Sequence, residues 1–326
     1  MLLRSLITFV INVSIVQHYA AAQAIAPSYD RVKDVIYGRS WGTSLTMDVF
    51  TPKANRNGVG LILVVSGGWY SSPDAINGNM MTWFIKPMTD RGYIVFAVCH
   101  GSAPRFTIPE AISDVNRAVR YIRYHAKDYS IDPERLGIFG GSAGGHLSVT
   151  QGVNPLPPNE KSPDPVDKTS SAVQCVGCFF PPTDFLNYGA EGKMAVGAGG
   201  ILLPFQASFD YRTFDDKVKK FVTVTDDQKI REITRNISPL YFVDPKDPPI
   251  LVIHGDADVL VPYEQATRLM KKLEEAGVDH KLITKPGANH GWLGVEKDTL
   301  TIADWFDAKL LKKTPATTQA TTTESK

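Results

Sequence analysis

Cysteine is scarce, with Cys99, Cys175 and Cys178 the only three in 326 residues. So small and odd a number excludes a disulfide framework as the source of stability. Cys175 and Cys178 form a C-x-x-C pair, but their setting, AVQCVGCFF, reads as a strand, in which an odd separation sends the two side chains to opposite faces. No second pair completes a four-ligand zinc site, so both read as core residues. An excess of one charge is missing too. Lys plus Arg number 35 against 34 Asp plus Glu, a net charge of +1, which supplies no field to attract nucleic acid or an anionic membrane. Long apolar runs are also lacking: Leu6 to Val16, interrupted by Asn12 and Ser14, falls short of the roughly 20 residues that span a bilayer. What remains is an ordinary globular composition, 43% hydrophobic and 21% charged, in a chain long enough for one large α/β unit or two modest ones.

The two ends differ from the middle. Met1-Leu2-Leu3-Arg4, the apolar stretch and Ala22-Gln23-Ala24 together have the layout of a signal peptide over residues 1–24. That implies a secreted or periplasmic protein with no stable membrane insertion after cleavage, and no cysteine follows to carry a lipid anchor. Residues 314–326 are threonine-rich with almost nothing apolar, a composition expected to stay disordered. The fold is expected within residues 25–313.

In that middle, short apolar runs rich in β-branched residues alternate with helical patterns, which predicts an α/β protein with a mostly parallel sheet and helices on both faces. Val32 to Tyr37 and Leu45 to Phe50 read as a half-exposed antiparallel pair, since Leu45, Met47 and Val49 alternate with polar neighbours. Leu61 to Val65, Tyr93 to Val98, Leu136 to Phe139, Ala172 to Phe179, Ile250 to Ile253 and Lys281 to Ile283 read as buried strands, eight strands in all. Pro109 opens a helix whose Ile112, Val115, Val119 and Ile122 share a face. Tyr263, Ala266, Leu269, Met270 and Leu273 mark another, and a last one follows Asp298. Residues 187–238 fit neither pattern. They hold Gly197-Ala198-Gly199-Gly200, the aromatics Phe205, Phe209, Tyr211, Phe214 and Phe221, and a charged helical section. A structureless loop of that length is rare, so an inserted cap over the carboxyl edge of the sheet is predicted, its aromatics serving either a ligand or the cap's own small core.

The local chemistry centres on Gly140-Gly141-Ser142-Ala143-Gly144, between a strand and a helical segment. This is the G-x-S-x-G elbow in its required setting, where small neighbours permit a strained turn that lifts the serine hydroxyl clear of the sheet. A serine needs a histidine base and a carboxylate to hold that base. The buried strand Ile250 to Ile253 runs into His254-Gly255-Asp256-Ala257-Asp258, which offers two candidate acids, and the loop after the next strand carries Asn289-His290-Gly291. The order Ser, Asp, His matches the elbow. Among the histidines, His290 is the best-placed base. His18 falls in the leader, His125 in a helix and His280 at a strand start; His254 suits packing or turn hydrogen bonding, His146 shares the elbow's own helix, and His100 follows a strand as a possible pocket residue. Backbone donors for an oxyanion are available at Ala143 and in Ser66-Gly67-Gly68-Trp69, where glycines allow close approach.

These segments, with Ile131-Asp132-Pro133-Glu134-Arg135 before the elbow strand, resemble the α/β-hydrolase fold. Within it they are most similar to the esterase and lipase branch that includes hormone-sensitive-lipase-like carboxylesterases and bacterial feruloyl-esterase-like enzymes. The resemblance covers about Val32 to Leu311 and implies Ser142 as nucleophile, His290 as general base and Asp258, at the fifth position of His-Gly-x-x-Asp, as the orienting acid. Asp256 is the nearby alternative. Family members usually have His-Gly-Gly-Gly where this chain has Ser66-Gly67-Gly68-Trp69, so the implied oxyanion donors are the N–H groups of Gly68, Trp69 and Ala143, with Gly67 a substitute. His100-Gly101-Ser102-Ala103-Pro104 also departs from the usual Tyr-Arg-rich version, which bears on substrate preference.

The resemblance thus implies a secreted serine esterase that works through an acyl-enzyme on a small-molecule or polysaccharide-linked ester, with no metal, no cofactor and no nucleic-acid partner. Two rivals share the motifs. A prolyl-oligopeptidase-like serine peptidase usually carries a large extra gating domain, which these residues are not expected to form. A non-catalytic binding protein on the same scaffold commonly lacks one of the three side chains, all of which are present here.

Overall fold

Alternation in the first hairpin produces β1 (Tyr29–Ser40) and β2 (Thr43–Pro52), paired antiparallel around a turn in which Trp41 and Gly42 both have positive φ. The computed structural model describes residues 27–311. The leader expected over residues 1–24 and the tail expected over 314–326 lie outside these described residues. There follow β3 (Gly60–Val65), a π-turn leading into α1 (Lys86–Asp90), β4 (Ile94–Cys99), α2 (Ile108–Tyr124), β5 (Leu136–Gly141), α3 (Ala143–Val153) and β6 (Cys175–Phe179). A polar hairpin of β7 (Arg212–Asp215) and β8 (Lys220–Thr223) then precedes α4 (Asp227–Asn236), β9 (Ile250–Gly255), α5 (Glu264–Glu275), β10 (His280–Lys285) and α6 (Val295–Leu310).

The main sheet has eight strands in the order β1-β2-β4-β3-β5-β6-β9-β10. Pairings from β4 to β10 are parallel, and β2 joins β4 antiparallel. This is the α/β-hydrolase arrangement that the motifs imply. Side chains of the central strands alternate between two apolar clusters. Ile62, Val64, Val98, Ile138 and Val252 meet α2, α3 and α5 on one face, while Leu61, Leu63, Phe139 and Leu251 meet α6 on the other. Each fully buried Val, Ile, Leu or Phe contributes on the order of 1.5–3 kcal/mol, so β3, buried along its whole length, is a main anchor. Cys175 and Cys178 are free and buried in opposite clusters, as odd spacing in a strand requires.

Several boundaries differ from the pattern-based expectation. β1 runs to 12 residues, longer than its apolar stretch, because an edge hairpin is held by backbone pairing and needs little burial. Ala172 to Gln174 stay outside β6. α6 begins at Val295 rather than after Asp298, capped by Gly294 at φ 88°. α2 starts with a capping box in which Thr107 and Glu110 bond each other's backbone, with Pro109 in its first turn.

Residues 187–238 leave the sheet after β6 and return before β9, and they contain a 3₁₀ segment (Leu203–Phe209), the β7–β8 hairpin and α4. Their aromatics face the body. Phe209 and Tyr211 are buried in the main core, Phe205 packs against it, and Phe214 and Phe221 close around Trp41 with ring centroids 4.7 and 4.8 Å away.

Candidate active site

β5 ends in glycines and delivers Ser142 into the turn that opens α3. Ser142 has φ 54° and ψ −121°, a conformation that costs a non-glycine residue on the order of 1–3 kcal/mol. Its neighbours have to be small: a Cβ on Gly140 would lie 2.7 Å from the Gly144 backbone, and one on Gly144 2.6 Å from the Val64 carbonyl. The Ser142 N–H donates to the Phe179 carbonyl at 3.0 Å, and the His146 N–H to the Ser142 carbonyl at 2.8 Å, which holds the turn. The serine remains partly exposed at the positive end of a helix.

The loops after β9 and β10 bring an acid and a base to it. His290 Nε2 lies 2.9 Å from Ser142 Oγ, and His290 Nδ1 lies 2.7 Å from Asp258 Oδ2. A carboxylate only accepts, so Nδ1 carries the proton and Nε2 is free to accept from the hydroxyl. Asp258 Oδ1 accepts from the N–H groups of Leu260 at 2.9 Å and Val261 at 2.8 Å, and His254 Nε2 approaches Oδ2 at 3.4 Å. Burial alone would raise the Asp258 carboxyl, but hydrogen bonds from His254, His290 and the Val261 N–H outweigh it and hold the group well below the usual carboxylate range. Asp256, the alternative acid, is exposed and instead accepts the Gly287 N–H at 2.6 Å. The two loops touch directly, since a Cβ on Gly255 would meet the Ala288 carbonyl at 2.2 Å.

After β3, Gly68 and Trp69 both take positive φ, 56° and 60°. Their N–H groups, and that of Ala143, donate to no protein acceptor among the described residues. Gly67 differs: it exchanges backbone hydrogen bonds of 2.9 Å with Tyr70, which removes it as a substitute donor. The Trp69 side chain is 3% exposed, edge-on to Phe185, Phe205 and Phe209, and its indole N–H donates to His146 Nδ1 at 3.0 Å.

Of the remaining histidines, His100 lies buried beneath this loop. Its Nδ1–H donates to the Gly101 carbonyl at 2.7 Å, and Nε2 accepts from Ser66 Oγ at 2.8 Å. His146 is fully buried, and His254 caps the Asp258 turn by donating to the Val261 carbonyl at 2.8 Å. His125 and His280 stand apart from the cluster, bonded to Asp128 and to the Val278 carbonyl. Phe180 is a neighbour that motif reading misses. It follows β6 at φ 35°, and its ring centre lies 4.4 Å from that of His290, forming one wall of the site. Aromatic identity at a strand end carries no sequence signal for such a role; only the strained φ marks it. A cavity of about 680 Å³ between β1 and α2 lies elsewhere, and its Arg117 is paired with Asp164 and Asp167 at 2.7 and 2.8 Å.

A serine, imidazole and carboxylate joined in this way can pass the hydroxyl proton to the imidazole as Oγ attacks a carbonyl carbon, with free backbone N–H groups nearby for the developing negative charge.

Comparison with known proteins finds esterases and hydrolases. The family described as BD-FAE matches residues 47–273, and the dienelactone hydrolase family matches residues 234–313. Esterase LipQ of Mycobacterium tuberculosis is 28% identical over 237 residues, 71% of this chain and 50% of its own length. Esterase LipC of the same organism is 27% identical over 71% of this chain and 52% of its own length, so the chain spans about half the length of these relatives. Among solved structures, a truncated carbohydrate esterase from gut microbiota is 27% identical with a TM-score of 0.68, covering 87% of this chain and 98% of that one. An esterase of Thermogutta terrifontis, 20% identical with a TM-score of 0.64 over 90% of this chain and 96% of its own, shares the fold.

Proposed function

Since this chain belongs to the BD-FAE family and has the α/β-hydrolase fold, we propose that it is a serine hydrolase of carboxylic esters acting through a Ser142–His290–Asp258 triad. The observation that carries this reading is the unbroken hydrogen-bonded line from Asp258 through His290 to Ser142. In the first half-reaction Ser142 Oγ attacks the ester carbonyl carbon while His290 Nε2 takes its proton. The oxyanion then accepts from the N–H groups of Gly68, Trp69 and Ala143. Collapse of the tetrahedral adduct breaks the bond to the alkoxy oxygen, which leaves as the alcohol with the proton from His290. Water, activated by His290, then attacks the acyl-enzyme and releases the acid. Asp258 stays ionised throughout, holding the imidazole in the required tautomer. Likeness to a carbohydrate esterase supports including esters carried on sugars among the substrates.

Residues 187–238 are proposed as the cap over this site, on the strength of the Ser208 hydroxyl donating to the Gly68 carbonyl at 3.2 Å and the contact of Phe205 with Gly68. No helix among the described residues is long and apolar enough to cross a membrane. Residues 1–24 are proposed as a cleaved secretory leader from their charge and Ala-x-Ala pattern, and N-terminal sequencing of exported protein should begin near Ile25.

The test is hydrolysis of p-nitrophenyl esters from acetate to long acyl chains and of acetylated oligosaccharides, using the wild type and Ser142→Ala. Turnover by the wild type should fall by about 10⁶-fold in the variant. Strong cleavage of peptide amides without ester turnover contradicts the reading and favours a peptidase.

A further inference from the structure

The histidine within the nucleophile's own helix has no route to act as the base, because both of its ring nitrogens are occupied elsewhere. His146 Nδ1 faces the Trp69 indole N–H at 3.0 Å, and Nε2 lies 2.7 Å from the Ile237 carbonyl. An indole only donates and a carbonyl only accepts, so these partners select the neutral tautomer with the proton on Nε2. The ring is fully buried. It joins three separate pieces of the molecule: the oxyanion loop after β3, the elbow helix α3, and Ile237, the residue that caps the end of α4.

The loop it holds needs such support. Trp69 keeps φ at 60°, in the left-handed region that a large side chain rarely occupies unless its surroundings impose it. Two further ties run from the cap to the same loop: the Ser208 hydroxyl reaches the Gly68 carbonyl, and Phe205 packs where a Cβ on Gly68 would stand, 2.4 Å away. Both ties act on Gly68. Phe185, Phe205 and Phe209 pack edge-on to the Trp69 ring, and the tie from His146 adds the hydrogen bond that sets the direction of the indole N–H within that packing, and with it the peptide whose N–H is proposed to meet the oxyanion.

We infer that His146 is a positioning residue for the oxyanion loop, its buried imidazole linking the Trp69 side chain to the end of α4 so that a docked cap and an aligned Trp69 N–H form together. This rests on the serine-esterase reading above. His146 touches no reacting atom. Its effect falls on the transition state, because the N–H it aligns meets full negative charge only when the tetrahedral adduct forms.

The test uses the full chain with p-nitrophenyl acetate and a trifluoromethyl ketone, whose adduct with a serine places an oxyanion where that of the ester would form. For His146→Leu, kcat should fall about 10- to 100-fold with KM within about twofold, and ketone affinity should weaken by a similar factor. His146→Gln should recover most of the loss, since its amide oxygen can accept from Trp69 while its amide nitrogen donates to Ile237. Trp69→Phe keeps an aromatic ring without the N–H and should reproduce the deficit, and combining it with His146→Leu should add little. The inference is overturned if His146→Leu melts at a lower temperature yet keeps kcat and ketone affinity within about twofold of wild type. Should that variant not fold, Trp69→Phe decides, and wild-type kcat there overturns the inference equally. A wild type that neither turns over the ester nor binds the ketone instead defeats the esterase reading on which the inference stands, an outcome distinct from any that separates the variants.

Discussion

Asp258 gathers donors from three directions: His290 at 2.7 Å, the N–H groups of Leu260 and Val261 at 2.9 and 2.8 Å, and His254 at 3.4 Å. Its neighbour Asp256 faces water and closes a turn. Asp258→Asn presents an amide N–H to His290 Nδ1 or forces the wrong tautomer, so kcat should drop by about 10⁴-fold, whereas Asp256→Asn keeps an acceptor for Gly287 and should change kcat by less than about threefold. Rates on p-nitrophenyl acetate check both, and equal losses in the two variants would remove Asp258 from its proposed role. From the chain alone the two aspartates are alternatives. Spacing within His254-Gly255-Asp256-Ala257-Asp258 favours Asp258 only through family likeness, because which carboxylate turns inward depends on the Val261 turn and on a loop more than 25 residues downstream. The proposed nucleophile Ser142 and proposed base His290 are readable more directly, since the elbow demands small residues at fixed positions and a base in this chain order follows a strand. The roles of His146 and Phe180 are not readable, for each depends on a partner brought in by a different element.

At the scale of elements, α2 carries a cost beside the loop after β4. Asp114 is buried, its carboxyl pushed up to about 6 by loss of solvent, with the Gly101 N–H at 2.9 Å opposing the shift and Glu110 adding to it. A carboxyl that titrates near 6 when folded and near 4 when unfolded costs the folded state on the order of 3 kcal/mol at pH 8 and nothing below about pH 4. Asp114→Asn retains an acceptor for Gly101 and removes that charge. The variant should therefore melt higher than wild type at pH 8, by roughly 2–4 °C for each kcal/mol recovered, and match it near pH 4. Scanning calorimetry at the two pH values checks this, and a gain of equal size at both would mean that charge is not the cause. Elements of this central kind are legible in the sequence because burial writes β-branched runs into the strands and three-four spacing into α2 and α5. The β7–β8 hairpin is not: Lys220–Thr223 is exposed throughout, so no alternation marks it. β1 and α6 are misjudged at their ends for a related reason, as backbone pairing and a left-handed Gly294 set limits that hydrophobic periodicity does not report.

Across the whole molecule, the sheet's carboxyl edge, the loop after β3 and residues 187–238 meet over two buried imidazoles. Burial pushes both His100 and His146 down to about 4, against hydrogen bonds to the Gly101 and Ile237 carbonyls that act in the opposite sense, and His100 depresses His146 further. In the unfolded chain each titrates near 6.5. The folded protein therefore binds fewer protons than the unfolded chain between those values. The stability tied to each neutral ring is complete above pH 6.5, declines as pH falls towards 4, and by then has lost about 3 kcal/mol. Asp114 works against this trend, since acidification relieves its buried charge. The same holds for half-buried Asp247, whose carboxyl burial raises to about 7. The total pH dependence thus mixes opposing contributions, and a difference between variants isolates one of them. His146→Gln preserves both hydrogen bonds but cannot take up a proton. Between pH 7 and pH 4 it should lose about 3 kcal/mol less unfolding free energy than wild type, measured by urea titration at each pH. Parallel losses in the two proteins would mean that the His146 ring takes up its proton as readily in the folded protein as in the unfolded chain, and that the acid sensitivity arises elsewhere. A shallower loss in the variant would show that folding holds the His146 ring neutral, its Nδ1 still accepting from the Trp69 indole, well below the pH at which the unfolded chain takes up the proton.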